Sequence, residues 1–250
     1  MSSLSVLVMV HNEEKQLKAC LETISFADEL VIVLDKCNDN SRAIASKFTK
    51  NIFSGRWDIE GERRNFGLKK CKKEWILEID ADERVSPLLE REITKIVSEN
   101  KNDWFLIKLN NYVGKRIVKH GWGAYIGKSA YAGLFRSGKK KWGGQRVHPK
   151  IVLEGEKGIT LTNHLDHFYC HNIEDLFFKL NTYSSLRALD LNNAEAKETL
   201  IKNISRLFSR FWKSYFLRKG YKEKNYGIII ALIAALYPLL SYLKFKSRKI

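Results

Sequence analysis

The stretch Glu74-Trp75-Ile76-Leu77-Glu78-Ile79-Asp80-Ala81-Asp82-Glu83 decides how the rest of the chain is read. An apolar segment runs into two carboxylates one residue apart. A strand can end there with both acids at its carboxyl edge, and in open α/β sheets ligands bind outside that edge. Side chains along a strand repeat every second residue, so Asp80 and Asp82 face the same way if extended geometry continues through Ala81. Two hard oxygen donors on one face suit Mg²⁺ or Mn²⁺, and such an ion can hold a diphosphate. A solvated acidic turn after an ordinary strand is the commoner explanation of an isolated Asp-x-Asp, because short motifs match by chance. The neighbouring sequence has to decide between them.

Upstream, Leu4 to Val10 and Leu30 to Leu34 are near-continuous apolar runs that read as buried strands. Leu17, Cys20, Leu21 and Ile24 fall at helical spacing between them, with Asn12 as the expected cap. A short helix with Ile44, Ala45 and Phe48 on one side follows, then a short strand over 51–53 and a helix over 62–70. After the acidic edge, Ser86-Pro87 opens a helix whose core face is Leu89, Ile93, Ile96 and Val97. Strand–helix alternation with apolar strands predicts a mostly parallel sheet with helices on both faces. From about residue 103 the pattern changes. Segments 105–107, 131–135 and 147–153 are strand-like and separated by glycines, which predicts an irregular, partly antiparallel region closing over a site. Asn172 then caps a helix bearing Leu176, Phe177, Leu180 and Tyr183.

Charge separates the chain's end from its body. The net charge is +16, yet residues 201–250 hold twelve Lys or Arg against Glu223 alone, leaving only +5 for the first 200 residues. A chain-wide basic surface would point to nucleic acid; a basic terminal segment beside an apolar run points to anionic lipid. Ala194 to Tyr221 reads as a basic amphipathic helix. Tyr226 to Leu243 is uncharged and lies at the lower edge of transmembrane length. Positive charge flanks both of its ends, including Arg248 and Lys249, and this does not favour crossing. Pro238 and the tyrosines at 226, 237 and 242 suit an interfacial or re-entrant segment, with a buried core helix and a simple anchor as the alternatives. Cys20, Cys37, Cys71 and Cys170 are widely separated, so neither a zinc site nor a disulfide framework is expected. No signal peptide is expected either, because Leu4–Val10 lacks a basic flank.

Four pieces stand in order: Val10-His11-Asn12-Glu13-Glu14, Asp35-Lys36-Cys37-Asn38-Asp39-Asn40-Ser41, Glu62-Arg63-Arg64-Asn65-Phe66-Gly67, and Asp80-Ala81-Asp82-Glu83. In order and content they resemble the family 2 glycosyltransferases of GT-A fold, over nearly the whole chain. The match is closest in kind to the short lipopolysaccharide-core β-glucosyltransferase group. Shared features are Asp-Ala-Asp-Glu-Arg-Val-Ser-Pro (80–87), Leu-Phe-Arg (134–136), Arg-Val-His (146–148), Lys-Leu-Asn-x-Tyr-Ser (179–184) and the basic-aromatic tail.

The resemblance implies a GT-A, Rossmann-like domain over 1–193 and a helical membrane-associating tail over 194–250. It implies an inverting, metal-dependent hexosyl transfer from a UDP-linked nucleotide sugar. The acceptor would be a lipopolysaccharide-core or lipid-linked glycan, and the enzyme would sit peripherally or monotopically at the cytoplasmic face of the inner membrane. His11, Asn12 and Glu13 would line the nucleotide pocket. Asp35 would accept from the base's imide N–H or serve as a turn cap. Arg64 would sit near the diphosphate or form a surface ion pair with Glu60 or Glu62. Asp82 would ligate Mg²⁺ or Mn²⁺, with Asp80 shared between metal and donor hydroxyls. No Walker-type loop is present, so phosphate handling falls to metal and basic side chains. The family's usual acid after Arg-Val-His is replaced by Pro149-Lys150, and the Asp before Leu-Phe-Arg by Ile126-Gly127-Lys128. Glu83, His148 and Asp166 remain as base candidates, and His148 and His167 could each be a third metal ligand, base or substrate contact. Trp122 and Trp142, with their neighbouring glycines, read equally as an acceptor wall or as packing. Two rivals stand beside this reading: a GT-A-fold binding protein without catalysis, supported by the missing acid, and a nucleic-acid binder, disfavoured by the near-balanced first 200 residues.

Overall fold

The computed structural model describes residues 3–99, 101–123, 127–193 and 197–247. The chain divides into two compact units. One holds Met1–Leu109, Ala130–Gln145 and Pro149–His167; the other holds Asn110–Ser129, Arg146–His148 and Phe168–Ile250.

The first unit opens with β1 (Leu4–Val10), α1 (Leu17–Glu22), β2 (Glu29–Asp35), α2 (Ser41–Ala45), β3 (Ile52–Gly55), α3 (Glu60–Leu68), β4 (Trp75–Asp80), β5 (Glu83–Arg84) and α4 (Pro87–Glu99). Along the chain follow β6 (Trp104–Val113), β7 (Arg116–Val118), β8 (Ala130–Arg136), β9 (Lys140–Trp142), β10 (Ile151–Leu153) and β11 (Lys157–Cys170); β7 and the last residues of β6 and β11 belong to the second unit. The main sheet has the order β3-β2-β1-β4-β8-β6-β11-β5, with β7 paired to β6. Strands β3, β2, β1 and β4 run parallel. β8 is antiparallel to both β4 and β6, which is the partly antiparallel region expected after residue 103.

Alternation along the strands explains the helices on both faces. Val6, Val8 and Val10 pack with Leu17, Leu21, Ala45, Leu89 and Ile93, from α1, α2 and α4. Leu7, Met9, Val31, Val33 and Ile76 point the other way and pack with Phe66 and Leu68 of α3. Each such side chain contributes about 1.5–3 kcal/mol when fully buried. Parallel register then lines up the carboxyl ends: Val10 lies beside Leu34, and Met9 beside Asp80. His11, Asp35 and Asp80 are therefore delivered to one edge by the sheet itself. Asn12 does not cap α1 as expected. It sits in the left-handed region at φ 55, and its Oδ1 accepts from the Asn38 N–H at 2.9 Å. α1 starts five residues later, without a side-chain cap.

The second unit is mostly helical. It contains α5 (Ile173–Asn193), α6 (Leu200–Trp212) and α7 (Asn225–Ser247), the last two joined by a π-helical turn at Lys213–Leu217 and a 3-10 turn at Gly220–Glu223. Asn172 caps α5, its Oδ1 accepting from Asp175 N–H at 2.9 Å. The core is Val113, Val118, Trp122, Tyr169, Leu176, Leu180, Ile230, Ile233, Ala234 and Tyr237. The basic helix expected over 194–221 ends as α-helix at Trp212; its expected start at Ala194, like Arg248 and Lys249, lies outside the described residues. The apolar stretch 226–243 falls within the single helix α7, which continues through Pro238. The domain boundary expected at 193/194 falls inside this unit.

Candidate active site

The loops after β1 and β2 interlock through short polar side chains. The His11 Nδ1–H donates to the Asp35 carbonyl oxygen at 2.7 Å. Glu13 N–H donates to Ser41 Oγ, Glu14 N–H to Asp39 Oδ2, and Asn40 donates through its backbone and side chain to Glu14 Oε2. Burial pushes the Asp39 carboxyl up, but hydrogen bonds from Ser41 and Glu14 outweigh it and hold the group below the usual carboxylate range. The Asp35 carboxylate is buried. It accepts from Trp57 N–H at 3.0 Å and pairs with Arg63 at 3.2 Å.

The end of β4 carries a buried charge cluster that the sequence did not announce. Arg64 is neither at the surface nor paired with Glu60 alone. Its guanidinium donates to Glu60 at 2.8 Å, to Glu78 at 2.9 Å, and to both oxygens of Asp80 at 3.0 and 3.2 Å. Glu78 also accepts from Lys140 Nζ at 2.7 Å and from Trp142 Nε1 at 3.2 Å. Lys140 is boxed by aromatic faces, 4.7 Å from the Phe135 ring and 4.5 Å from the Trp142 ring, which favours a cation held out of water. Burial would raise Glu78, but Lys140 and Arg64 outweigh it and keep the carboxyl below its ordinary value. Burial would likewise lower Arg64; Asp80, Glu60 and Glu78 overcome this and hold it well above its ordinary value. Three carboxylates thus face two cations, and the surplus negative charge stands at the strand's exit.

Beyond Asp80 the chain turns tightly. Glu83 is buried and folds back, its Oε2 accepting from Asp80 N–H at 2.9 Å and lying 3.0 Å from the Tyr131 hydroxyl. Burial and the charges of Glu83, Asp80 and Glu78 push the Tyr131 phenol well above its ordinary value. Arg84 staples the turn by donating to the carbonyls of Ala81, Glu83 and Gln16. β5 pairs with β11 so that Glu83 lies opposite His167 and Arg84 opposite Asp166. This pairing brings His167 Nε2 to 3.4 Å from Asp82 Oδ2, with side chains 11% and 18% exposed.

A carboxylate and an imidazole side by side, both reachable from solvent, can serve as two ligands of a divalent cation. Among the described residues no group of three His, Cys, Asp or Glu is arranged to hold one. Two such donors do not by themselves make a metal site; an ion held there would need its remaining ligands from substrate phosphates and water, the usual habit of Mg²⁺. Asp80 is clamped by Arg64 on both oxygens and is 31% exposed.

His148 belongs to the second unit. It is exposed, adopts φ 52, and meets the rings of Tyr183 and Tyr237 edge to face at 5.5 and 6.0 Å. Trp122 and Trp142 are both buried and lie in separate units. Trp142 packs against Arg64, its ring 4.8 Å from the guanidinium carbon, and Trp122 packs on Tyr169. α3 meets the strand pair β9–β10 backbone to backbone: a Cβ at Gly61 would lie 1.7 Å from the Gly143 carbonyl oxygen. Asn65 seals this contact by bonding both the N–H and the C=O of Trp142.

Residues 5–147 match the model of glycosyl transferase family 2. The chain belongs to that family. Among similar proteins is the lipopolysaccharide core biosynthesis glycosyltransferase LpsC of Rhizobium meliloti, 26% identical over 258 residues that cover 98% of this chain and 92% of the relative. An uncharacterized glycosyltransferase of Rickettsia bellii is 25% identical over 252 residues, covering 97% and 86%. The crystal structure of Staphylococcus aureus TarS 1-349 superposes with a TM-score of 0.50 at 16% identity, covering 99% of this chain and 88% of TarS, a likeness of fold. The family 2 enzyme described here is thus a glycosyltransferase, and its sheet is of the GT-A kind.

Proposed function

We infer that this glycosyltransferase moves a hexose from a UDP-linked nucleotide sugar, with inversion, onto a lipopolysaccharide-core or lipid-linked glycan at the cytoplasmic face of the inner membrane. The observation that carries the reading is the exit of β4: Asp80 locked by Arg64, and Asp82 beside His167, on the edge where the sheet also presents Asp35 and His11. The likeness to LpsC over nearly the full length of both chains supports the acceptor class.

In this reading Asp35 receives the base, and the interlocked loop at His11, Asn12 and Glu13 walls the nucleoside. The Asp35 carbonyl holds the His11 Nδ1 proton, so a neutral ring offers Nε2 as an acceptor to a ribose hydroxyl. Asp82 and His167, with Asp80 beside them, would hold Mg²⁺ or Mn²⁺. The chemistry supplied by the bound ion is Lewis-acid neutralisation of the departing diphosphate. Arg64 and Lys140 fix where that charge is met, and their rigidity removes reorganisation from the transition state. Glu83 has a positioning role, because its carboxylate is turned inward to Asp80 N–H and Tyr131. Of the base candidates, His148 is the exposed one, and substituting it tests the role.

The test is a screen of nucleotide sugars with Mg²⁺ or Mn²⁺, following release of the nucleoside diphosphate. A UDP-sugar is expected to be consumed, and His148→Ala to slow transfer without weakening donor binding. Tight donor binding with no turnover of any donor would favour the non-catalytic rival.

A further inference from the structure

α6 is amphipathic but packed inside out. Asn203, Arg206 and Arg210 share one face, continued by Ser214 in the turn that follows; Leu200, Ile201, Ile204, Phe208 and Trp212 share the other. In a globular protein the second face would be buried. Here Asn203 and Ser214 are buried and Arg206 and Arg210 are partly so: Asn203 donates to Glu198 and to the Thr199 carbonyl, Arg206 reaches Glu198, and Ser214 Oγ donates to the Gly121 carbonyl at 2.7 Å. Ile201, Phe208 and Trp212 are 81%, 68% and 56% exposed, and Phe216 and Leu217 prolong the apolar side.

α7 supplies a matching stripe. Ile228, Leu232 and Leu243 are exposed on one side, while Ile230, Ile233, Ala234 and Tyr237 face the unit's core. Between the two helices lies a groove of about 560 Å³ lined by Phe208, Phe211, Trp212, Phe216, Leu232 and Leu236. The charge around it has one sign. Lys202, Lys213, Arg218, Lys219, Lys222 and Lys224, within and just after α6, are all exposed. The acid among them, Glu223, is buried and accepts from the Lys119 and His120 N–H groups. An exposed apolar face on a segment whose exposed cations are this numerous complements acyl chains beneath anionic headgroups.

α7 is long and apolar enough to cross a bilayer, but more than half of its apolar window is buried in the chain. It packs along α5, and Lys244 Nζ donates to Asn181, Ser184 and Ser185 of that helix. α5 also carries Asp175, Lys179, Arg187 and Asp190. A crossing α7 would draw these ionised groups into hydrocarbon.

We propose that α6 and the exposed stripe of α7 lie in the plane of an anionic leaflet, with Phe208 and Trp212 inserted among the acyl chains and α7 not crossing. This deepens the membrane part of the function proposed above and is independent of the donor chemistry. The experiment is flotation of the full chain with phosphatidylglycerol-containing vesicles against pure phosphatidylcholine vesicles, for the parent and for F208E/W212E. The parent should float with the anionic vesicles, and the double variant should lose at least tenfold in partition. Its circular dichroism and its release of nucleoside diphosphate in solution should stay unchanged. Equal flotation of both proteins overturns the insertion of α6 while leaving membrane association standing. A parent that ignores anionic vesicles, or is retained by RNA instead, overturns both. Asn225→Cys and Ser247→Cys, treated with an impermeant maleimide on vesicles, should both label from outside. Protection of either one overturns the in-plane placement.

Discussion

At the exit of β4 ionised side chains are sealed inside the protein; along α6 large apolar ones are left outside. Both arrangements reverse the usual distribution, and they differ in what compensates them. Glu78, Arg64 and Lys140 compensate one another through hydrogen bonds within the chain, so the cluster is complete as it stands. Phe208, Trp212 and Leu217 stay 68%, 56% and 66% exposed among the described residues and call for something outside the chain. A reversal closed internally builds a rigid site; one left open marks a surface that meets another phase.

Breaking the closed region should have the largest effect. Lys140→Met takes one of its two cations from the buried Glu78 carboxylate, leaving Arg64, and should cost about 3 kcal/mol in urea unfolding. An unchanged midpoint would mean that the cluster does not hold this region together. The pH dependence follows with a fixed sign. The folded Glu78 carboxyl is held below its unfolded value of about 4.3, so its contribution is present above that pH and is lost as pH falls through the folded value. The acid-unfolding midpoint of the variant should therefore rise. Asp82→Ala comes next, with an expected drop of about 10²–10³ in kcat and unchanged circular dichroism. Full turnover in that variant would remove Asp82 from the reaction. Asp35→Ala should weaken nucleotide binding about tenfold, as expected for a charged hydrogen bond, with less change in turnover of bound donor. Equal affinity by calorimetry would take Asp35 out of the pocket. The smallest effect belongs to the open region. Thr199 caps α6 through Lys202 N–H, and Thr199→Ala should cost about 1 kcal/mol of stability without changing nucleotide affinity. Coupled loss of both would blur the contrast between the two regions.

Much of the parallel half of the sheet was readable from residue order. Leu4–Val10, Leu30–Leu34 and Trp75–Asp80 are apolar because both of their faces are covered, and unbroken apolar runs are the signal of that burial. The acids at the end of β4 were readable for the same reason: the run stops there. Glu78 sits inside that run, and a charge within a buried strand is itself a sign that a cation must come to it. Its partner could not be located, because Lys140 lies between Lys139 and Lys141 and only pairing across 62 positions singles it out. His167 is beside Asp82 through strand pairing, which local periodicity does not encode. The amphipathicity of α6 was legible; which side faces inward was not, since spacing defines a stripe but not what it packs against. Asn12 takes a left-handed turn instead of the expected cap, because the same short amide that suits helix starts also tolerates positive φ.

The bare contact between Gly61 and the Gly143 carbonyl sets how this protein can change over generations. No side chain fits at 61, and Arg64 follows within a single helical turn. An alanine there would lever α3 outward and drag the guanidinium off Asp80, so the damage would surface sixteen residues beyond the clamp rather than where the codon changed. A saturation scan across α3 should show one silent-looking, featureless position that tolerates nothing.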